Sequence, residues 1–162
     1  MKILGIDPGL TKTGWGIINS VKNSLSFVAS GTIHTDAKEP IYQRINQIHQ
    51  VITEVLALYQ PVQAAIEETF INNNPTSSLK LGHARGAIML SLSLNSNLPI
   101  FEYSTTAVKK AVVGVGRADK NQVLAMIKYL LPASNVKNED EADALAVAIC
   151  HNNHSNLIKF KL

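Results

Sequence analysis

The first 35 residues contain three strand-like runs separated by short turns, and this pattern limits the possible fold more than any other feature. The runs cover residues 2–7, 14–20 and 24–35, and they are broken by Pro8–Gly9 and Lys22–Asn23. Runs of this length with so few residues between them predict β-hairpins, in which neighbouring strands are antiparallel. The sequence therefore predicts that the chain begins with an antiparallel meander of three strands.

After residue 40 the apolar residues change to helical spacing. Ile41, Ile45, Ile48 and Ile52 fall at three- and four-residue steps, which is typical of an amphipathic helix, and Pro61 ends this pattern. Strands are predicted at residues 62–67 and 98–103, and further helices at residues 77–95, 104–113, 119–131 and 139–152. A meander followed by this alternation predicts an α/β fold with a mixed sheet between helices.

Composition indicates a single globular unit. Of the 162 residues, 46% are apolar and 17% are charged, which is enough apolar material for one core. We predict one domain over residues 1–152 and a short tail over residues 153–162. The single cysteine, Cys150, excludes an intrachain disulfide, and no run approaches the ~18 apolar residues of a membrane span. We expect a cytoplasmic protein that does not enter a membrane.

Acidic residues stand at three places where a fold could gather them. Asp7 and Glu67 each end a predicted strand, and Asp140, Glu141 and Asp143 open the last predicted helix. Residues 140 and 143 lie on the same helical face because they are three apart. Oxygen donors without a nearby His or Cys suit Mg²⁺ or Mn²⁺ better than zinc. Two such ions about 4 Å apart can activate water and stabilise the leaving oxygen of a phosphodiester.

Each acid also has an ordinary explanation. Asp7 before Pro-Gly is a common turn residue, and Asp140 and Asp143 suit the first turn of a helix, where carboxylates interact favourably with the helix dipole. Glu67 is harder to explain, because an acid after the run VQAAI contributes little to a buried strand end. A shared metal site is expected only if the fold brings these distant positions together.

Several segments resemble the RuvC family of Holliday-junction resolvases in their order and spacing. They are GIDPG, TGWG, AAIEETF, SSLKLGHARGAI, VVGVGRADKNQV and DEADALAVAI, and the resemblance covers roughly residues 2–151. It implies a ribonuclease-H-like three-layer fold whose five-stranded mixed sheet has three antiparallel and then two parallel strands. It also implies that two Mg²⁺ ions, replaceable by Mn²⁺, are bound by the catalytic residues Asp7, Glu67, Asp140 and Asp143.

The same resemblance implies a substrate and partners. The expected enzyme is a homodimer that nicks two strands of like polarity in a four-way DNA junction and works with the RuvA–RuvB branch-migration complex. Phe70, in the loop after Glu67, is expected to press against bases near the junction centre. The lysines expected near the active site are Lys109 and Lys120, and further candidates for a basic DNA-binding face are Lys80, Arg85, Lys110 and Arg117. A pI near 9.0 and a net charge of +3 agree weakly with a polyanionic partner.

Two other functions share many of these features. One is a ribonuclease-H-like nuclease that processes structured ribosomal RNA, and the other is a module that binds junctions without cutting them. The combination of the AAIEETF segment, its asparagine-rich continuation and the DEADALA ending favours the DNA enzyme over the first. The presence of all four acids argues against the second.

Overall fold

Five strands form one mixed sheet in the computed structural model, which describes residues 1–22, 24–69, 74–94 and 98–159. The strands are β1 (Lys2–Asp7), β2 (Lys12–Val21), β3 (Ser24–His34), β4 (Gln63–Glu67) and β5 (Ile100–Tyr103). Their order across the sheet is β3-β2-β1-β4-β5. β2 is antiparallel to both of its neighbours, β1 and β3, whereas β4 is parallel to both β1 and β5. This confirms the predicted meander and the two parallel strands that follow it.

Helices cover both faces of this sheet and complete a three-layer α/β fold. The helices of the described chain are α1 (Ile41–Tyr59), α2 (Pro75–Ser93), α3 (Thr105–Val113), α4 (Lys120–Leu130) and α5 (Glu139–Lys159). Leu4, Ile6 and Ile66 belong to the core that includes residues of α1 and α2, and Ile3 and Ala65 to the core that includes residues of α3, α4 and α5. Because alternate residues of β1 are buried on opposite faces, this strand reads as a continuous apolar run.

Capping residues explain several helix boundaries. The side chain of Asn74 accepts a hydrogen bond from the backbone of Ser77, so α2 begins at Pro75, two residues before the predicted start. Asp119 and Gln122 form a capping box at the start of α4.

The predicted turn after β2 includes Lys22, whose φ of 54° is left-handed, whereas Asn23 lies outside the described residues.

The end of α5 differs from the prediction. The helix was expected to end at Asn152, but it continues to Lys159, so the predicted tail begins as part of this helix. His151 and Asn152 are buried although they are polar. Gln63 and Tyr103 supply hydrogen-bond partners to both ring nitrogens of His151. Among the helices of the described ranges, none combines the length and the apolar character of a membrane span.

Glycines allow α5 to pack closely against β1 and β2. An added Cβ on Gly5 would lie 2.1 Å from the carbonyl oxygen of Ala144, and one on Gly14 would lie 2.0 Å from that of Asp140. No side chain fits into this space, so the helix backbone rests almost directly on the sheet. Since Gly14 is the partner of Asp7 in the β1–β2 register, the first turn of α5 lies beside the end of β1.

Candidate active site

Asp7 and Glu67 end neighbouring parallel strands. In the register of β1 and β4, Gly5 pairs with Ala65 and Ile6 with Ile66, so Asp7 and Glu67 occupy the next corresponding positions of the two strands. Side chains alternate along a strand, which puts both acids on the face of Gly5 and Ala65, toward α5. The two carboxylates expected from the ends of the strands thus meet at one edge of the sheet.

A cavity of about 230 Å³ opens at this edge. Its lining includes three carboxylates, two lysines and one hydroxyl group, contributed by Asp7, Glu67, Asp143, Lys109, Lys120 and Thr105. Asp140 is not part of this lining, and one of its carboxylate oxygens is 3.9 Å from the ammonium nitrogen of Lys12. Its charge nevertheless raises the pKa of Asp7. The structure therefore brings three of the four predicted acids into one cavity and leaves Asp140 beside it.

Burial and mutual repulsion raise the pKa values of these carboxylates. Burial raises the pKa of Asp7 to about 8, with further increases from the charges of Glu67, Asp143 and Asp140. Burial also raises the pKa of Asp143, to about 6, while the Lys120 ammonium opposes this shift. The pKa of Glu67 is raised by burial, against which the hydrogen bond from Thr105 acts most strongly. Strongly shifted carboxylates in one cavity are typical of functional sites.

The donor set suits a hard divalent cation, although the ligands do not yet enclose one. Among the described residues, no group of three or more His, Cys, Asp or Glu side chains is arranged as it stands to hold a metal ion. The lining nevertheless offers only carboxylate and hydroxyl oxygens as ligands, the donors that Mg²⁺ and Mn²⁺ prefer. Carboxylates that repel one another in a buried cavity would also be stabilised by a cation between them. The residues therefore fit the expected metal, and binding requires their side chains to adjust.

The two lysines predicted near the active site lie in the cavity. Lys109 belongs to α3 and is half-buried, and its charge lowers the pKa of Glu67. Lys120 is the first residue of α4, and its ammonium nitrogen is 3.1 Å from a carboxylate oxygen of Glu139. Both cations stand where a phosphate entering the cavity would meet them.

The other predicted DNA-binding residues are more dispersed. Lys80 is exposed on α2, and Arg117 is exposed in the segment between α3 and α4. Arg85 forms an ion pair with Glu102 of β5, so its charge is already neutralised within the chain. Phe70 lies outside the described residues, and its predicted role at the junction centre stays a prediction.

Sequence reasoning missed three features of the site. The Thr105 hydroxyl donates a hydrogen bond to a carboxylate oxygen of Glu67, and Lys12 approaches Asp140. Glu141 was grouped with its acidic neighbours but is 4% exposed and accepts hydrogen bonds from the side chains of Ser30 and Asn138, away from the cavity. Thr105 could have been suspected because it closely follows β5, the next parallel strand after the one that ends in Glu67.

Comparisons with known proteins agree with this geometry. The family model described as Crossover junction endodeoxyribonuclease RuvC matches residues 3–151. RuvC of Paramagnetospirillum magneticum is 53% identical over 95% of this chain and 92% of its own length. RuvC of Agrobacterium fabrum is 49% identical over 93% of this chain and 88% of its own length.

Solved structures give the same result at the level of the fold. Thermus thermophilus RuvC in complex with Holliday junction substrate superposes with a TM-score of 0.89 at 30% identity, covering 97% of this chain and 96% of that one. The yeast mitochondrial Holliday junction resolvase Ydc2 shares the fold, with a TM-score of 0.67 at 12% identity over 99% of this chain and 84% of its own. The chain belongs to the RuvC family of crossover junction endodeoxyribonucleases.

Proposed function

We propose that this chain resolves four-way DNA junctions by hydrolysing one phosphodiester in each of two strands of like polarity. The observation that carries the proposal is the cavity in which Asp7, Glu67 and Asp143 meet two lysines, in a member of a junction-nuclease family. With Asp140 beside the cavity, these acids would hold two Mg²⁺ ions, and Mn²⁺ would replace them. The family match favours this function over structured RNA processing and over binding without cleavage.

Each group of the site has a role in this reaction. The chemistry that bound divalent ions would supply is the activation of a water molecule and the stabilisation of the leaving oxygen of the phosphodiester. The carboxylates would hold these ions, while Lys109 and Lys120 would offset the negative charge of the phosphate and fix its position. For Lys120 to do so, it must exchange Glu139 for the phosphate. The products would carry 5′-phosphate and 3′-hydroxyl ends, which a ligase can rejoin.

A single gel experiment tests the substrate class. A labelled four-way junction, a linear duplex and a structured RNA are incubated with the protein, with and without Mg²⁺. We expect paired nicks in the junction alone, and only with the metal. Cleavage of the RNA would support the ribosomal RNA alternative, and tight junction binding without nicks in Mg²⁺ would support the binding module.

The remaining assignments rest on family resemblance. We place the protein in the cytoplasm, acting after a RuvA–RuvB complex has moved the branch point. Residues 1–152 form the nuclease domain in this proposal, and residues 153–162 are a short tail. Phe70 would press against bases at the junction centre, while Lys80, Arg85 and Arg117 would contact the DNA backbone. Of these, Arg85 would first have to leave Glu102.

We further propose that the active form is a homodimer. One chain provides one acidic cavity, and symmetrical scission requires two cavities related by a twofold axis. An apolar groove of about 370 Å³ lies between α1 and α2, on the other side of the sheet from α5. Tyr42 and Leu90 line this groove and are 65% and 57% exposed. We assign this groove to the second copy, because pairing there would leave the acidic face of each sheet free for DNA.

Leu90→Glu should therefore dissociate the dimer. Twofold symmetry would place two new carboxylates in the same apolar interface, and we expect at least about 100-fold weaker dimerisation, or roughly 3 kcal/mol. Light scattering across a concentration series measures this change. Leu58→Glu is the matched control, because Leu58 is 72% exposed on α1 and is not part of the groove lining. A Leu90→Glu protein that stays dimeric would place the interface elsewhere.

A further inference from the structure

A hydroxyl group outside the predicted acid set contacts one of the acids directly. The side-chain oxygen of Thr105 is 2.5 Å from a carboxylate oxygen of Glu67 and donates a hydrogen bond to it. Hydrogen bonds from a hydroxyl to a carboxylate are among the shorter and stronger hydrogen bonds in proteins. Both residues line the cavity. One of the two oxygens of Glu67 therefore accepts this bond, and the other oxygen takes no part in it.

The position of the Thr105 hydroxyl is fixed by its surroundings. Thr105 is the first residue of α3, whose start is capped by a hydrogen bond from the backbone of Ala107 to the side chain of Ser104. The backbone N–H of Glu68 donates to the carbonyl of Tyr103 at 2.8 Å, which ties the end of β4 to the end of β5. A β-branched side chain also has few rotamers. Rigid elements thus hold donor and acceptor together.

Lys109 extends the same arrangement by one helical turn. It lies four residues after Thr105, so the two side chains share a face of α3, and both line the cavity. The hydroxyl contacts Glu67 directly, whereas the ammonium group acts on it through its charge. One short helix therefore presents two groups to the same carboxylate, and neither group is itself acidic.

We infer that Thr105 is a positioning residue that orients the Glu67 carboxylate for the divalent ion and the substrate phosphate. This inference rests on the proposed function, because it assigns to Thr105 a role in the metal site proposed there. Residues that hydrogen-bond metal ligands fix the orientation of those ligands, and their loss typically costs about 10- to 100-fold in metal affinity or activity. Thr105 would act only through Glu67 and would not touch the reacting atoms.

Three variants distinguish the effect of the hydroxyl group from the effect of the shape of the side chain. Thr105→Val keeps the shape and removes the donor, Thr105→Ser keeps the donor, and Thr106→Val makes the valine change at the exposed neighbouring position. Mn²⁺ binding to the DNA-free protein is measured by calorimetry, and single-turnover cleavage of a junction is measured across Mg²⁺ concentrations. For Thr105→Val, we expect the affinity for Mn²⁺ and the cleavage rate each to fall by about 10- to 100-fold. Thr105→Ser should recover most of both, and Thr106→Val should match the wild type.

Two results would overturn the inference. One is wild-type Mn²⁺ binding and cleavage by Thr105→Val, and the other is a Thr105→Ser protein as impaired as Thr105→Val. Thr105→Ala replaces Thr105→Val if the valine variant melts at a much lower temperature than the wild type. Glu67→Gln, measured in parallel, distinguishes a failure of the proposed metal site from a failure of the role of Thr105. If Glu67→Gln is active, the proposed metal site fails, whereas an inactive Glu67→Gln with an active Thr105→Val removes only the role of Thr105.

Discussion

Asp7→Asn should abolish junction cleavage while leaving junction binding nearly intact. The substitution replaces one carboxylate oxygen by an amide nitrogen, so it removes a charged metal ligand but keeps the size of the side chain. Metal ions stabilise the transition state by several kcal/mol, and the loss of this stabilisation should lower the cleavage rate by about 10³-fold or more. Single-turnover cleavage and gel-shift binding of the same labelled junction measure the two properties separately.

The same variant should be more stable than the wild type when no metal is present. The pKa of Asp7 is about 8 in the folded protein and near 3.8 in an unfolded chain, so the folded state holds this proton more tightly. Between these two pH values the free energy of unfolding therefore falls as the pH rises. Asparagine carries no such proton, so the variant should melt at least about 5 °C higher at pH 8 in EDTA, since each kcal/mol corresponds to about 2–4 °C for a chain of this size.

Mg²⁺ should reverse the order of stability, because it binds only when the carboxylates are charged. It should raise the melting temperature of the wild type and have little effect on Asp7→Asn. Asp36→Asn is the control, since Asp36 is exposed and its carboxylate accepts a hydrogen bond from the backbone of Lys38. Wild-type cleavage by Asp7→Asn in Mg²⁺ would contradict the catalytic assignment. A lower melting temperature in EDTA would contradict the account of its buried charge.

The sheet and most of its connections were predictable because local patterns determine them. Hairpin turns make the first three strands antiparallel, and an apolar run such as residues 62–67 is typical of a central strand buried on both faces. The end of α5 was not predictable in this way. His151 lies at the polar end of the helix predicted over residues 139–152, but its ring is buried because Gln63 and Tyr103, far away in sequence, supply hydrogen-bond partners. Partners this distant leave no local signal.

In the candidate site, too, local patterns predicted some features, whereas others depend on residues that are distant in sequence. Asp7 and Glu67 could be predicted because the carboxyl ends of parallel strands meet at one edge of a sheet. Helical spacing put Asp140 and Asp143 on one face, but it did not show that Glu141 turns toward β3 and is buried there. Nor did spacing determine the distance of these acids from Asp7, which depends on how closely α5 approaches the sheet. That distance is set by glycines, which carry no chemistry of their own.

Gly14→Ala should therefore damage catalysis from a position that bears no reactive group. The added Cβ would lie 2.0 Å from the carbonyl oxygen of Asp140, so the first turn of α5 or strand β2 must move. Overpacking of this kind costs about 1–3 kcal/mol and should lower the melting temperature by several degrees. Cleavage should fall further, by about 10²-fold, because a shift near 1 Å in a catalytic group has that effect. Melting curves and single-turnover cleavage at 25 °C, where the variant stays folded, measure the two effects.

Gly82→Ala is the matched control for this change. Gly82 lies in α2 with nothing within 4 Å of an added Cβ, so alanine there should stabilise the helix by about 0.5–1 kcal/mol and leave cleavage unchanged. If Gly14→Ala cut and melted like the wild type, the close approach of α5 to β2 would not be what holds Asp140 and Asp143 beside Asp7. A loss of stability with full cleavage would contradict the account more narrowly. It would mean that the acids tolerate a shift of the helix that carries them, as ligands that adjust when an ion binds would do.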